Sequence, residues 1–419
     1  MKKLSVFTTS TLTAAMLLTS LSTQAAGFQL DAQSATGLGR AYAGDGIIAD
    51  NASVMAINPA AMSMFDKTSF SMGATSVTSQ IAVSDATYSS YLSWKKDVSA
   101  NYDNAGGTDV VPNMYLIVPV NDKWALGAGL YSNFGTTTKF DSSYVAKEYG
   151  GKTKVLSGEL ALAASYRLND QWSFGAGIDL IYGVGTFNRS IDIKMNDGPF
   201  IKPDYHTHTI NMADIKADGF GVGWNTGIAY ELDENNRWGF SYHHSPKITA
   251  KGDFDGVIGK ASSEIYLPLP DFANFSGYNR FAGTPFAISY SIQWTGWNVF
   301  DKLDTNTNTI QNFEWNNTWH YSLGGTYYMN DQWTLRAGYM YDQGAQGKEV
   351  RTIAVPDSNR QWFSAGVSYA PTKDSSIDFG FTYLLGQDMH VHQNSIVTSI
   401  DATTRANAII AGVQYSKSF

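Results

Sequence analysis

From Thr68 to the C-terminus, segment after segment alternates large apolar residues with small or polar ones. Ile377, Phe379, Phe381, Tyr383 and Leu385 are set against Ser376, Asp378, Gly380 and Thr382. Trp172, Phe174, Ala176, Ile178, Leu180 and Tyr182 are set against Ser173, Gly175, Gly177 and Asp179. Side chains two residues apart share one face of a strand, so each segment is a strand with one greasy face. After residue 25 no run approaches the ~18 apolar residues of a transmembrane helix. Tyr 24, Phe 22, Trp 11 and Gly 39, with only 16% charged residues, suit greasy faces that meet lipid rather than one another. The expected class is all-β: a transmembrane antiparallel β-barrel.

A repeated phrase marks the turns: Asn121-Asp122-Lys123-Trp124, Asn169-Asp170-Gln171-Trp172 and Asn330-Asp331-Gln332-Trp333, with a looser copy from Asp233 to Trp238. Asn and Asp favour turns by bonding nearby backbone, and an aromatic at strand entry suits a membrane–water girdle. Long connections alternate with these short ones: Ser84–Asp109, Gly135–Lys154, Asn188–Gly219, Lys251–Ser262, Thr295–Asn316, Gln343–Asn359 and Gly386–Thr403. Fourteen strands result, the third spanning Trp124–Phe134 and the eighth, Ile265–Tyr278, weakened by Pro268 and Pro270. The last is an amphipathic strand ending at Phe419, the kind of end that barrel-assembly machinery recognises in bacterial outer membranes; Lys417 lies close enough to the end to sit among headgroups.

The N-terminus reads differently. Lys2 and Lys3, a Thr/Ser-diluted apolar run to Leu21, and Thr23-Gln24-Ala25 describe a signal peptide over residues 1–25. Residues 26–67 follow, rich in small residues, with Gly37, Gly39, Gly44 and Gly46 and a cap-then-helix signal at Asn58-Pro59-Ala60. A segment of about 40 residues cannot bury a core alone. It needs walls, so we read it as a plug, or hatch, inside a barrel formed by residues 68–419. Cysteine is absent, which excludes disulfides and thiolate metal sites. A net charge of -8 argues against nucleic acid as a partner.

Taken together, AGFQL at Ala26–Leu30, SATGLGRAYAGDG at Ser34–Gly46 and the Asn58-Pro59-Ala60 triplet resemble the FadL family of long-chain fatty acid outer-membrane transporters. The likeness continues through Val111–Asp122, Tyr166–Gly177, Tyr230–Arg237, Ser276–Arg280 and Gly324–Gly338. The resemblance implies a barrel of fourteen strands in the outer membrane of a Gram-negative bacterium, with a hatch inside. Cargo would be caught by outer loops, pass to an apolar pocket and leave sideways where the third strand bends inward. Phe134-Gly135 matches that place. Arg189, after Phe187 and Asn188, matches a basic residue that faces the ligand carboxylate; its alternative is an outer-loop Arg pairing with lipopolysaccharide phosphates. A second basic residue expected near strand ten is replaced by Asn316 and Asn317, with His320 close by. Phe28 is the implied lid, and Asn58, Pro59 and Ala60 the hatch element.

Other chemistry finds little support. The N-terminal glycines follow no strand and lack a Walker Lys, so no phosphate loop is expected. His206/His208 and His390/His392 are solvated loop pairs with too few ligands for a metal, and no local motif marks a Ser–His hydrolase. The chain is expected to be no enzyme and to need no cofactor. A channel for other apolar compounds, such as aromatic hydrocarbons, shares the architecture; a general porin is opposed by the plug. About a dozen buried methylenes at ~0.8 kcal/mol each supply roughly 10 kcal/mol, so an acyl tail should dominate affinity. A charge-assisted bond to Arg189 adds only about 1.5–3 kcal/mol and should set orientation.

Overall fold

Hydrogen-bonded pairing runs from each strand to the next and closes on itself. The computed structural model describes residues 27–256, 259–305 and 309–419; the signal peptide expected over residues 1–25 lies outside them. Fourteen antiparallel strands form the ring. They are β1 (Ser69–Ser90), β2 (Thr108–Pro119), β3 (Trp124–Tyr131, resuming at Gly135–Lys139), β4 (Lys152–Arg167), β5 (Trp172–Asn196), β6 (Tyr205–Asp233), β7 (Asn236–His244 and Lys247–Gly256), β8 (Gly259–Pro268 and Phe272–Arg280), β9 (Phe286–Thr295), β10 (Thr318–Tyr328), β11 (Trp333–Asp342), β12 (Arg360–Thr372), β13 (Ser375–Gly386) and β14 (Thr398–Ser418). β14 pairs with β1 from Ser69↔Ser418 to Ser90↔Thr398, so the sheet has no edge there.

The alternation read in the sequence sets which face looks outward. Phe379 and Phe381 are about half exposed, at 51% and 47%, while Asp378 and Thr382 on either side of them are buried. The turn phrase works as its chemistry requires. Asn121 Oδ1 accepts from the N–H groups of Lys123 and Trp124, and Asn169 and Asn330 do the same for the Trp three residues on. Each Trp then meets a Tyr across the ladder: Trp124 with Tyr166, Trp172 with Tyr230, and Trp333 with Tyr369, at 4.6–4.8 Å between centroids. Those pairs build an aromatic girdle at the short-turn end.

Two expectations are corrected. Much of what read as long loop is strand: β5 and β6 stay paired out to Asn196↔Tyr205, inside the connection expected over Asn188–Gly219. The inward positions here mix Arg189 with Ile191, Ile215 and Ala217, so the side-chain alternation fades while the backbone ladder continues. The third strand stops at Tyr131 instead of running to Phe134. β8 is interrupted between Pro268 and Phe272, where its prolines cannot donate to a ladder.

Residues 27–65 lie inside the ring and are buried almost throughout. A single turn of α-helix, Ala35–Leu38, is capped by Ser34 Oγ, which accepts from Gly37 N–H at 3.0 Å. Two 3-10 helices follow, Ala52–Ala56 and Pro59–Met64. Asn58 caps the second by accepting from Ala60 N–H at 3.0 Å, with Pro59 in the first turn as the sequence suggested. The wall meets this segment on many sides: Ser71 of β1, Tyr115 of β2, Ser276 of β8, Ser291 of β9 and Gln414 of β14 all hydrogen-bond its backbone. Glycine makes room where contact is closest. A Cβ on Gly227 would lie 1.9 Å from Asn58 Oδ1, and one on Gly175 2.3 Å from Ala60 N.

Candidate functional site

The break in β3 positions everything else. Ser132, Asn133 and Phe134 leave the ladder and turn toward the N-terminal segment. Leu30 N–H donates to Asn133 O and Gly135 N–H donates to Phe28 O, both at 2.8 Å. Ser157 holds the far side by accepting from Phe134 N–H at 3.1 Å. β2 pairs with β3 only between Met114↔Leu130 and Pro119↔Ala125; beyond the break Gly135–Lys139 pairs with β4 alone. Asn113 of β2, which has no β3 partner in that ladder, instead donates from Nδ2 to Ala32 O of the segment at 3.1 Å.

Phe28 is carried by these bonds into a cage of rings. Its centroid lies 4.7 Å from Trp297, 5.1 Å from Phe300, 5.7 Å from Trp315 and 6.1 Å from Phe134. Edge-on arrangements like the first two are favoured by ring quadrupoles. Gly27, at φ +64°, lies flat on both indoles: a Cβ there would sit 2.5–2.7 Å from their carbons. The cage is continuous with an apolar pocket that opens at its mouth. Val155, Phe187, Ile215, Ile248, Ile265 and Leu267 line it, with Gly183, Gly185 and Ala217 keeping it wide.

Arg189 sits at the rim. It is buried, with its guanidinium 4.0 Å above the Phe187 ring. Nη1 donates to the carbonyls of Lys152 and Asn188, and Nη2 to Thr153 Oγ1. Among the described residues no carboxylate forms an ion pair with it. Its charge is therefore held by neutral oxygens only, an arrangement that leaves room for an anion.

Of the residues named from the sequence, Phe187 lines the pocket, Arg189 covers the Phe187 ring, Phe28 packs in the adjoining apolar cluster, and Gly135 is bonded to Phe28 at the break. Asn58, Pro59 and Ala60 lie elsewhere, against β5 and β6, where Asn58 Nδ2 also donates to Ile228 O. The polar residues named near strand ten do not face the pocket as a head-group site: His320 pairs with the buried Asp342, and Asn317 Oδ1 accepts from Asn298 N–H. Sequence reasoning missed Trp297, Phe300 and Trp315, which carry no periodic signal because they lie between strands, and Lys154, which also lines the pocket. Beneath the pocket, charge anchors the segment. Arg40 pairs with Asp45 at 2.8 Å and Asp50 at 2.7 Å, and Arg336 of β11 reaches Asp50 at 3.4 Å. Burial pushes Asp45 up to about 6 against the pull of Arg40. Burial acts on Asp50 as well, but Arg40 and Arg336 outweigh it and hold that carboxyl below its ordinary value. Desolvation raises Asp31 to about 6, with His320 and Arg360 pulling the other way.

A family model described as "Outer membrane protein transport protein (OMPP1/FadL/TodX)" matches residues 16–419. The chain belongs to the FadL family. A long-chain fatty acid transport protein of Escherichia coli O6:H1 is 35% identical over 456 residues, covering 100% of both chains. Outer membrane protein P1 of Haemophilus influenzae is 34% identical, with 99% of each chain covered. Among solved structures, a Pseudomonas aeruginosa FadL homologue superposes with a TM-score of 0.84 at 22% identity, over 94% of this chain and 100% of that one. The Pseudomonas putida toluene transporter TodX gives 0.65 at 19% identity, over 94% and 100%. At such identities these two structures speak to the fold alone. As a FadL-family member the protein is an outer-membrane transporter of hydrophobic compounds in a Gram-negative bacterium, and not an enzyme.

Proposed function

We propose that this FadL-family protein takes up long-chain fatty acids, binding them in the apolar pocket and releasing them sideways through the wall at the break in β3. The observation that carries the fatty-acid reading is Arg189: a buried guanidinium, without a carboxylate partner among the described residues, at the rim of an apolar pocket. The tail fills the pocket and the carboxylate meets the guanidinium. Tight binding alone would trap the cargo, so release needs a second state that binds it worse. Residues 26–67 act as the hatch that supplies this state, with Phe28 as the lid, Asn58-Pro59-Ala60 as the anchor, and Gly135 at the gate. The remaining assignments go with this reading: residues 1–25 as a cleaved leader, residues 68–419 as the barrel, Phe419 as its assembly signal, and the outer surface among lipopolysaccharide.

The relative in Escherichia coli is named for long-chain fatty acids, which supports this cargo over aromatic hydrocarbons. Binding of labelled oleate to the detergent-solubilised protein, with palmitate and toluene as competitors, tests it. Palmitate should displace oleate at far lower concentration than toluene. Displacement by toluene alone would reassign the cargo to aromatic hydrocarbons.

A further inference from the structure

Two carboxylates sit inside the ring beside the break, with no ion pair to either among the described residues. Glu159 of β4 lies across the ladder from Tyr131, the last residue of β3 before the interruption, and is 2% exposed. Its Oε2 accepts from the Asn133 amide at 2.9 Å. Asn133 in turn accepts from Gln33 of the N-terminal segment at 2.7 Å. Asp179 of β5 stands opposite Ala161, two residues along β4 from Glu159, and is also buried. Both of its oxygens accept from Asn225 Nδ2, at 2.8 and 2.9 Å. The titratable groups facing this pair are Tyr131 of β3, Tyr115 of β2 and His243 of β7. Tyr131 turns its hydroxyl toward Glu159, Tyr115 donates to Gln33 O, and His243 donates from Nε2 to Ile57 O at 2.9 Å. The segment presents Gln33, Met55 and Met62 here, none of them charged.

A buried carboxylate that meets neutral donors and no fixed cation is costly as an anion, and a second one beside it raises the cost. Ionisable groups retained inside a membrane protein commonly serve its transport pathway, often as proton relays. The cargo poses the matching problem. It binds at Arg189 as a carboxylate, and a carboxylate cannot enter hydrocarbon at a tolerable cost. A proton that joins it between the pocket and the lipid removes that cost.

We propose that Glu159, backed by Asp179, hands a proton to the cargo carboxylate at the break in β3, so that the fatty acid enters the bilayer as the neutral acid. The O–H bond of the Glu159 carboxyl breaks and an O–H bond on the cargo forms. Glu159, left as a carboxylate, takes a proton back from hydronium on the aqueous side, and no redox partner is needed. This step rests on the lateral route proposed above.

The test uses the full-length protein in lipid vesicles and follows delivery of oleate and of oleyl alcohol, the same chain without an ionisable head. Glu159→Gln keeps the shape and the bond to Asn133 but cannot cycle a proton. It should slow oleate delivery by about tenfold or more, leave oleyl alcohol unchanged, and leave oleate binding unchanged. Asp179→Asn should give a smaller loss with the same selectivity. Equal slowing of both cargos would reduce Glu159 to a structural polar contact, and undiminished oleate delivery would remove it from the path; either overturns the proposal. Were the wild type to bind oleate yet deliver neither cargo to the bilayer, the lateral route itself would fail, and this step with it.

Discussion

Gln29 and Phe134 form an antiparallel bridge that joins the N-terminal segment to the interrupted β3. The flanking bonds, Leu30 N–H to Asn133 O and Gly135 N–H to Phe28 O, are both 2.8 Å. They tie the backbone of Phe28 to the break, so withdrawing this stretch takes Phe28 out of its aromatic cage. Emptying the cage and freeing the break are therefore mechanically coupled, and that coupling makes the remaining residues testable.

Arg189 contributes a charge-assisted hydrogen bond, and the pocket contributes many methylene contacts. Arg189→Ala should weaken oleate binding by roughly tenfold to a hundredfold, as expected from about 1.5–3 kcal/mol. Equilibrium binding with a fluorescent fatty acid reads this directly. A loss of many thousandfold would place the head group above the tail in the ranking.

Gly185 lines the pocket, and a Cβ built there finds only the Ala217 carbonyl, at 3.9 Å. A larger side chain therefore has space to enter, and that space is the cargo's. Gly185→Leu should fold normally, lose affinity for long chains and retain it for short ones. Binding measured across a series of chain lengths checks this. Equal weakening at every length would mean that the tail does not pass this point.

Asp31 is raised to about 6 by burial, with Asp342 adding to the rise and His320 and Arg360 opposing it. A carboxyl that is harder to ionise folded than unfolded holds its proton preferentially in the folded state. Its contribution is complete below the unfolded value of 3.8 and is lost as pH rises to about 6. This preference for the protonated form is worth about 3 kcal/mol at most. Asp45 works in the same direction, and Asp50, held low, in the other. Unfolding midpoints of Asp31→Asn and wild type, compared between about pH 4 and pH 8, should move in favour of Asn as pH rises and then level off. A difference independent of pH would contradict the burial of an ionisable Asp31.

Residues 27–65 hydrogen-bond to strands on many sides of the ring. Deleting residues 27–66 should leave a ring that passes small polar solutes. Liposome swelling with sugars measures it, with wild type as the tight reference. An equally tight deletion variant would mean that the outer loops seal the bore.

The barrel was largely legible because each strand records its two environments. Phe379 against Asp378 states lipid against interior in adjacent residues. The Asn-Asp-x-Trp phrase was legible for a similar reason, since one side chain both makes the turn and sets the next aromatic in place. The outer halves of β5 and β6 were not legible, because their inward positions mix a buried Arg189 with Ile191, Ile215 and Ala217, which breaks the alternation that marks a strand. The aromatic cage was hidden for a different reason. Phe28, Trp297, Phe300 and Trp315 are brought together only by the break in β3 and the closure of the ring, and no local pattern foretells a contact between positions so far apart. Arg189 and Gly135 came from family resemblance, and nothing in their own neighbourhoods singled them out.

The lateral route with a moving lid is tested most directly by locking the bridge. Gln29 and Phe134 stand opposite each other, and the chain has no other cysteine to interfere. In the double variant Gln29→Cys, Phe134→Cys, uptake of labelled oleate into cells should fall on oxidation and recover on reduction, while the barrel stays folded. Undiminished uptake with the cross-link confirmed would show that cargo crosses without the segment ever leaving the break.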